Sequence, residues 1–455
     1  MRLLPLAALA SLTLAASTTS AQQRPFGTLR EQAARQQQWL DQRLTTVLPA
    51  IMRKHGVQMW VVPMREYNED PVFSSLVSPT TFAARRRTIY VFFDRGGEAG
   101  VERLALGGSS QGGLYTAVRS QITVTTGNVS TGGTAELWGD QQWLVLKQVL
   151  EERKPARIHI NRSRTFAFAD GLSSGELEGM TAILGPTWAA RFTSNDALAV
   201  DLIATRLPDE EQFYRQLNEL TWQVVREMFS SAQITPGVTR TSDLVWFFRQ
   251  RVNDLGLGTW FQPSVDVQRM GRSAAQLGDD PIIERGDVLH CDVGITSMRL
   301  NTDTQHLAYV LREGESNVPA GLAAALRNAN RAQDILMREI RPGRTGNEAL
   351  VATLATMRRE QISGTIYSHP IGMHGHGAGA LIGLWDYQDG VPGRGDHPMI
   401  ARMWYSIELQ ATTPVPEWNG QPVRMAQEED MMIGADGVPR WAFNRQSELI
   451  VVRPS

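Results

Sequence analysis

The sequence is poor in cysteine and in long apolar runs. Cys291 is the only cysteine among 455 residues, which excludes an internal disulfide, so packing or bound metal must stabilise the fold. The formal net charge of -2 has no marked sign bias, which argues against nucleic acid as a partner. Beyond the first 21 residues, no stretch is apolar and long enough to predict a membrane span.

Residues 1–21 have the three-part order of a secretory signal peptide. Arg2 precedes an apolar run from Leu3 to Ala16, and a short polar stretch of small residues follows and ends at Ala21. We therefore expect residues 1–21 to be removed and the mature protein to be secreted or periplasmic. An uncleaved membrane anchor or a buried first helix is the alternative interpretation.

The length and the residue patterns predict two domains. A single core stops growing near roughly 250–300 residues, and this chain has 455. Residues 22–205 alternate helical and strand-like patterns, which predicts an α/β domain. The helical patterns there cover residues 28–55, 143–153 and 174–183, and the strand-like runs cover residues 58–63, 88–93 and 157–160.

Residues 206–455 are richer in strand-like runs and predict an α/β or α+β domain. The breaker Thr235-Pro236-Gly237 separates the first two helical patterns of this region. The helical patterns cover residues 208–233, 240–255 and 319–339, and the strand-like runs cover residues 287–291, 306–310, 404–407 and 449–452.

Two acidic residues lie on either side of a predicted hairpin. Asp292 ends one strand-like run, and Asp303 opens the next run eleven residues later. This spacing allows a hairpin to turn both carboxylates toward one place. Acidic residues at strand ends usually face solvent, so solvated carboxylates are the alternative.

A histidine cluster lies in the glycine-rich segment 369–379. It holds His369, His374 and His376, three of the eight histidines of the chain. Imidazole is the commonest neutral metal ligand, and neighbouring glycines allow a backbone to approach a metal closely. The alternative is a glycine-rich surface loop with solvated histidines.

Two further acidic positions complete the set. Glu408 lies in a strand-like run, where a carboxylate must face solvent or bind a cation. Glu428 opens the sequence Glu428-Glu429-Asp430, which by itself indicates a solvated acidic turn. Together, four carboxylates and one imidazole form an oxygen-rich set whose charge balances two divalent cations. Two such ions can activate water and polarise a substrate carbonyl.

In this order, the motifs resemble the pita-bread metallopeptidases, the family of methionine aminopeptidase, aminopeptidase P, prolidase and creatinase. The resemblance covers residues 206–455. Residues 25–205 resemble the extra domain that aminopeptidase P, prolidase and creatinase carry. The resemblance therefore implies a creatinase-like N-terminal domain at residues 22–205 and a pita-bread catalytic domain at residues 206–455, most similar to Xaa-Pro aminopeptidase.

The resemblance also implies a ligand set for two divalent ions, with manganese first and cobalt, zinc or iron as alternatives. It makes Asp292 a ligand of one ion, and Asp303 and Glu428 bridges between both. His376 matches the histidine ligand, and Glu408 matches the ligand that also acts as general base. Glu429 and Asp430 would support this set.

The same resemblance also gives roles to the other two histidines of the segment. His374 is a rival of His376 as the metal ligand, because the order His-Gly-His is unusual in the family. If His376 is the ligand, His374 or His369 would contact the scissile carbonyl. The expected substrate is a peptide with proline after the scissile bond, and the expected assembly is a homodimer. Trp385 and Arg394 are candidate pocket residues, an aromatic wall and a carboxylate anchor respectively.

Two departures from the family pattern leave other functions open. Residues 261–280 lack the histidine that the family usually has before the first aspartate, and His306 stands where an arginine is common. One alternative function is creatinase-like hydrolysis of a non-peptide C–N bond. The other is a secreted binding protein that keeps this fold without catalysis.

Overall fold

A computed structural model of the chain describes residues 24–119, 123–126, 129–134, 137 and 139–453. The expected signal peptide at residues 1–21 lies outside the described residues. Within the described residues, the model contains no helix with both the length and the apolar character needed to span a membrane.

The N-terminal region alternates helices with short strands, as predicted. Its first helix covers almost the whole segment 28–55, because a π-helical turn at Arg43–Val47 joins α1 to α2. The elements are α1 Leu29–Gln42, α2 Leu48–Lys54, β1 Met59–Met64, α3 Phe73–Leu76, β2 Thr88–Asp94, β3 Val101–Leu106, β4 Thr116–Val118, β5 Thr123–Thr126, β6 Val129–Thr134, α4 Gln141–Arg153, β7 Ile158–His159, α5 Ser174–Leu184, α6 Pro186–Ala189, β8 Phe192–Thr193 and α7 Asp196–Ala204.

Six of these strands form one sheet in the order β4-β3-β2-β1-β7-β8. Successive side chains of a strand point to opposite faces, so a strand covered on both faces must be apolar throughout. In β1, Trp60 and Val62 join one hydrophobic core, whereas Met59 and Val61 join another. The continuous apolar run that predicted this strand is therefore explained by helices on both sides of the sheet.

The C-terminal region is built around a larger, mostly antiparallel sheet. Helix α8 begins with a proline and three acidic residues in its first turn, a sequence that favours a helix start. The elements are α8 Pro208–Met228, α9 Thr241–Asp254, β9 Ser264–Gln268, α10 Ala274–Leu277, β10 Val288–Val293, β11 Thr296–Ser297, β12 Leu300–Asn301, β13 Thr304–Val310, α11 Ala320–Glu339, α12 Gly346–Arg359, β14 Ser363–Ile366, β15 His369–Pro370, β16 Trp404–Val415, β17 Gln421–Ile433, β18 Pro439–Trp441 and β19 Ile450–Val452.

The large sheet has the strand order β14-β16-β17-β13-β10-β9, with β15 on β16, β18 on β17 and β19 on β13. The predicted hairpin between Asp292 and Asp303 is confirmed, since β10 pairs antiparallel with β13. Helix α12 and strand β17 were missing from the prediction. The acidic turn expected from Glu428 taken alone was wrong, because Glu428 lies inside β17, where one side of the strand faces the site and the other faces helix α8.

The two regions are joined by buried polar contacts. Arg43 of the π-helical turn pairs with Glu210 of α8 at 2.9 Å, and its other nitrogen donates to the carbonyl oxygens of Leu202 and Thr205 at 2.8 Å. The predicted boundary between residues 205 and 206 falls in the short connection between α7 and α8, and it stays a prediction.

A second contact between the regions centres on Asp201 of α7. Its carboxylate accepts a hydrogen bond from Lys54 Nζ at 2.8 Å and contacts His55 Nε2 at 2.8 Å and His397 Nε2 at 3.2 Å. Burial alone would raise the pKa of Asp201, but its hydrogen bonds with His397, His55 and Lys54 hold it well below its usual range. We call Asp201, Lys54, His55 and His397 the Asp201 cluster.

Candidate metal centre

A row of four polar side chains crosses the large sheet. Strand register places Asp292 opposite Gln305, Gln305 opposite Glu428, and Glu428 opposite Glu408. Directly opposed residues of antiparallel strands have their side chains on the same face. Pairing of β10, β13, β17 and β16 therefore brings together residues that lie more than one hundred positions apart in the sequence.

Potential ligand atoms form three overlapping groups at this row, one of which consists of Asp303, His369 and His376, while the other two share Glu428. Asp292, Asp303 and Glu428 form one of these two, and His369, Glu408 and Glu428 form the other, with the atoms of each group within 4.8 Å of one another. The structure thus brings together all four carboxylates that the sequence predicted.

His369 supplies an imidazole to this arrangement from β15. Its Nε2 lies 3.3 Å from Glu428 Oε1, 3.6 Å from Asp303 Oδ2 and 3.8 Å from Glu408 Oε2. Its Nδ1 lies 3.0 Å from the carbonyl oxygen of Pro370, which can only accept a hydrogen bond. Nδ1 therefore donates to this carbonyl, which leaves Nε2 as the ring nitrogen directed at the carboxylates, the arrangement of a metal-binding histidine.

Several atoms of the site are buried without a hydrogen-bond partner in the described part of the chain. They are His369 Nε2, Asp292 Oδ1 and Asp303 Oδ1. Burial, followed by repulsion from Glu428, raises the pKa of Asp292, Asp303 and Glu408 well above the usual carboxyl range. Divalent cations fit this site, because they would neutralise the repulsion between the buried carboxylates. They would also bind the carboxylate oxygens and the imidazole nitrogen that have no hydrogen-bond partner.

Neutral side chains hold the glutamates in place. Ser406 Oγ donates to Glu428 Oε1 at 2.5 Å. Gln305 Nε2 donates to Glu428 Oε2 at 2.9 Å and to Glu408 Oε1 at 2.8 Å. Sequence reasoning missed Gln305, whose only signal was its position two residues after Asp303 in the same predicted hairpin.

The other two acids of the predicted set act from outside the row. Asp430 accepts hydrogen bonds from Tyr214 Oη at 2.8 Å and from the backbone N–H of Asp303 at 3.2 Å. Glu429 points to the other side of β17, where it contacts His306 Nε2 at 2.9 Å and accepts from Trp222 Nε1 at 3.1 Å. These contacts fix the strand that carries Glu428.

The remaining histidines take different positions. His376 has a ring nitrogen within 4.8 Å of ligand atoms of Asp303 and His369, and its outer edge is exposed. His374 is in none of the three ligand groups among the described residues; its ring packs 4.8 Å from that of Phe168 in the N-terminal region. Burial is the first cause that lowers the pKa of each of these two imidazoles to about 4.

Close packing explains the glycines of the histidine segment. A Cβ at Gly375 would overlap the indole of Trp260, and a Cβ at Gly377 would lie 2.7 Å from the carbonyl oxygen of Pro370. Only glycine allows the segment to approach both groups, which places the His376 ring beside β15.

Aromatic side chains surround His376. The ring centroids of Trp260 and Tyr367 lie 5.3 Å and 6.0 Å from the His376 ring, and Trp260 Nε1 donates to the carbonyl oxygen of Thr302 at 2.8 Å. Both aromatic residues were missed from the sequence. Of the predicted pocket residues, Trp385 is 69% exposed, whereas the charge of Arg394 acts on both Tyr367 and His376.

A large cavity in the described residues lies beside the carboxylates, and none of the four lines it. It has a volume of about 990 Å³ and is lined by β9, the segment from Gly271 to Asp279 and the start of β17. Asp266 in its wall contacts His290 Nδ1 at 3.4 Å. We base the site on the convergence of ligand atoms, because size alone does not identify chemistry.

Comparison with known proteins agrees with this geometry. Residues 212–434 match the family model described as metallopeptidase family M24. A search of curated protein sequences finds no match to the chain.

Solved structures similar to this chain cover nearly its whole length. The X-Pro aminopeptidase of Thermotoga maritima is 17% identical with a TM-score of 0.59, covering 89% of this chain and 100% of its own. The Xaa-Pro dipeptidase of Bacillus anthracis is 16% identical with a TM-score of 0.57, covering 92% of this chain and 99% of its own. The N-terminal domain of the FACT complex subunit SPT16 of chickpea, Cicer arietinum, is 11% identical with a TM-score of 0.57, covering 91% of this chain and 99% of its own. At these identities the likeness shows the fold alone, and it confirms the predicted α/β domain followed by a pita-bread domain.

Proposed function

Because the chain belongs to metallopeptidase family M24 through its domain at residues 212–434, we propose that it is a two-metal exopeptidase that hydrolyses Xaa-Pro bonds. The observation that carries the proposal is the meeting of four carboxylates with the bare Nε2 of His369. Manganese is the proposed ion, since an oxygen-rich set with one imidazole suits it, and cobalt, zinc and iron remain alternatives.

The two groups that share Glu428 support two ions that share ligands. We assign Asp292 to one ion, His369 and Glu408 to the other, and Asp303 and Glu428 to both. His369 replaces His376 as the imidazole ligand in this proposal, because its Nε2 lies nearest the carboxylates and its tautomer suits coordination.

Bound divalent ions would supply the charge that activates water and polarises the peptide carbonyl. Glu408 is the proposed general base, because its side chain is 21% exposed whereas that of Glu428 is 1% exposed. A base must reach the substrate, and Glu408 is the more accessible of the two glutamates. It would take a proton from water and pass it to the leaving proline nitrogen.

His376 is the proposed contact to the scissile carbonyl. It lies at the exposed edge of the site, within 4.8 Å of ligand atoms of Asp303 and His369. Its lowered pKa keeps the imidazole neutral near pH 7, so its N–H can donate to the oxygen that gains charge in the reaction. His374 lies against Phe168 and takes no direct part.

The aromatic side chains beside His376 support selectivity for proline. Trp260 and Tyr367 offer flat apolar surfaces next to the site, and a proline ring can pack against such surfaces. Trp260 thus takes the place of Trp385 as the proposed wall of the proline pocket.

Hydrolysis of matched peptides tests the function. Purified protein with added Mn²⁺ should cleave Xaa-Pro peptides faster than Xaa-Ala peptides, and a chelator should abolish both activities. Equal cleavage of both peptides would contradict proline selectivity. Hydrolysis of a non-peptide C–N substrate without cleavage of either peptide would support the creatinase-type alternative, and metal binding without any hydrolysis would support the binding protein.

Export and assembly are further parts of the proposal. The order of charged, apolar and small residues in segment 1–21 supports removal of that segment and a secreted or periplasmic enzyme. N-terminal sequencing of protein from the native host should find a chain that begins near Gln22, and intact Met1 in a cytosolic protein would contradict it. A homodimer is proposed by analogy, and the mass in solution tests it.

A further inference from the structure

Gln305 occupies an unusual place for an amide. It stands in the row between Asp292 and Glu428, so it is the one neutral side chain among the carboxylates that cross the sheet. Gln305 is 5% exposed, and its Nε2 donates to the carboxylates of Glu408 and Glu428 at once. An amide at this position must either move when an ion binds or restrict which oxygens the glutamates can offer to that ion.

The orientation of the Gln305 amide follows from the groups around it. Nε2 donates to Glu408 Oε1 and to Glu428 Oε2, so the NH₂ group faces both glutamates. The opposite end, Oε1, lies 2.9 Å from His290 Nε2, which must therefore donate to it. Asp266 lies 3.4 Å from His290 Nδ1 on the other side of the ring. The series from Asp266 through His290 to Gln305 thus holds the amide against rotation.

This orientation divides the oxygens of the glutamates into two sets. Gln305 contacts Glu408 Oε1 and Glu428 Oε2. The other oxygens, Glu408 Oε2 and Glu428 Oε1, lie 3.8 Å and 3.3 Å from His369 Nε2. The oxygens that face His369 are therefore the ones that Gln305 does not contact, although Glu428 Oε1 also accepts from Ser406 Oγ at 2.5 Å.

We infer that Gln305 is a positioning residue that directs both glutamates toward His369 and competes with an ion held by Asp292, Asp303 and Glu428. If Glu428 serves that ion through Oε2, this oxygen must either give up its contact with the amide or share its negative charge between the amide N–H and the ion. Hydrogen bonds to ionised acceptors are about twice as strong as neutral ones, so either change weakens binding of the ion. The inference rests on the proposed metal centre and adds a residue that controls its loading.

Titration of the purified full chain with Mn²⁺ alone, followed by calorimetry, tests the inference. We call the ion held by Asp292, Asp303 and Glu428 the second ion, and the ion at His369 the first. In Gln305→Ala the second ion should bind about tenfold more tightly than in the unchanged protein, which corresponds to about 1.4 kcal/mol. The first ion should change less, because its oxygens do not contact the amide. Gln305→Met keeps a similar side-chain length and removes the donor without adding a charge, so it should strengthen binding of the second ion even if the alanine variant folds poorly.

Two further variants make the test specific. Gln410→Ala is the matched control, since this amide lies two residues from Glu408 on β16 and contacts Thr365 and Arg424 instead of the carboxylates. It should leave both affinities unchanged. His290→Ala frees the amide to rotate and should strengthen the second ion as well.

The outcomes separate this inference from the proposed function. If the unchanged protein binds two Mn²⁺ ions and the Gln305 variants bind the second one equally or more weakly, Gln305 does not compete and the inference is overturned. If the unchanged protein binds no Mn²⁺ at all, the proposed metal centre itself fails.

Discussion

Two buried sites among the described residues, the Asp201 cluster and the metal centre, hold carboxylates in different electrostatic surroundings. In the Asp201 cluster, one carboxylate meets a lysine and two histidines, and its pKa is held well below the usual range. In the metal centre, Asp292, Asp303 and Glu408 have raised pKa values, and His369 directs Nε2 at the carboxylates.

This difference distinguishes structural charge from functional charge. A buried carboxylate costs free energy unless an opposite charge or hydrogen bonds compensate it. The Asp201 cluster finds its compensation within the protein and joins α2, α7 and the segment around His397. In the metal centre, hydrogen bonds reach Glu408 and Glu428, but Asp292 and Asp303 each keep a buried oxygen without a partner in the described part of the chain, and cations from solution would supply the missing compensation. Four experiments can sharpen or break this comparison, beginning with the one for which we expect the largest effect.

Glu408→Gln should have the largest effect on activity. The amide can offer an oxygen to a metal but cannot accept a proton, so hydrolysis of an Xaa-Pro peptide should fall by roughly 10²–10⁴-fold. Metal content should fall less. Asp201→Asn, assayed well below its melting temperature, is the control from the compensated cluster and should retain activity. Full activity of Glu408→Gln would remove this residue as the base.

Alanine variants of the three histidines should have separable effects. His369→Ala should weaken Mn²⁺ binding by more than about 100-fold, since it removes a ligand rather than an outer contact. His376→Ala should keep the metal while turnover falls by about 10²-fold or more, as expected for loss of a donor to the reacting oxygen. His374→Ala should change both little.

The histidine experiment also tests the first assignment made from the sequence. Metal analysis beside turnover for each variant is the deciding measurement. If His376→Ala loses the metal and His369→Ala retains it, His376 is the ligand, as the motif resemblance implied, and the assignment from the geometry fails.

Removal of the metal should lower stability and reverse its dependence on pH. Bound ions should stabilise the fold by about 2.7 kcal/mol at a concentration 100 times the Kd. In the apoprotein, the raised pKa values of Asp292, Asp303 and Glu408 mean that their ionised forms destabilise the fold at neutral pH. Acidification should relieve this cost, so the apoprotein's melting temperature should rise as pH falls toward about 5. A fall over that range would contradict the compensation argument.

Asp201→Asn should have the smallest effect and the opposite pH dependence. The lowered pKa of Asp201 means that its contribution is complete above the ordinary carboxyl pKa of about 4 and is lost as pH falls toward the folded value. The variant should therefore be less stable by about 1–3 kcal/mol at neutral pH, and the difference should shrink in acid. Denaturant unfolding at several pH values measures it, and a constant difference would show that charge is not the cause.

The sequence predicted those features that depend on local pattern. Apolar runs identified β1, β2 and β10, because strands covered on both faces must be apolar. Strand β17 escaped prediction, because polar residues such as Gln427, Glu428 and Asp430 break its apolar pattern and imitate a turn. These side chains are buried in the site or on the face of β17 toward α8. Their burial depends on contacts with distant segments, so the local sequence does not predict it.

The sequence by itself determined the two-part order of the fold and the four carboxylates of the site, since their order and spacing are properties of the chain. Tertiary structure decided the positions of the three histidines. His369 pairs with Ser406 across β15 and β16, which places its imidazole against Glu428, whereas the unusual His-Gly-His order drew attention to His374 and His376. It also placed Gln305 between carboxylates from three strands. Register between distant strands sets these neighbours, and the burial and hydrogen bonds that fix that register exist only in the folded chain.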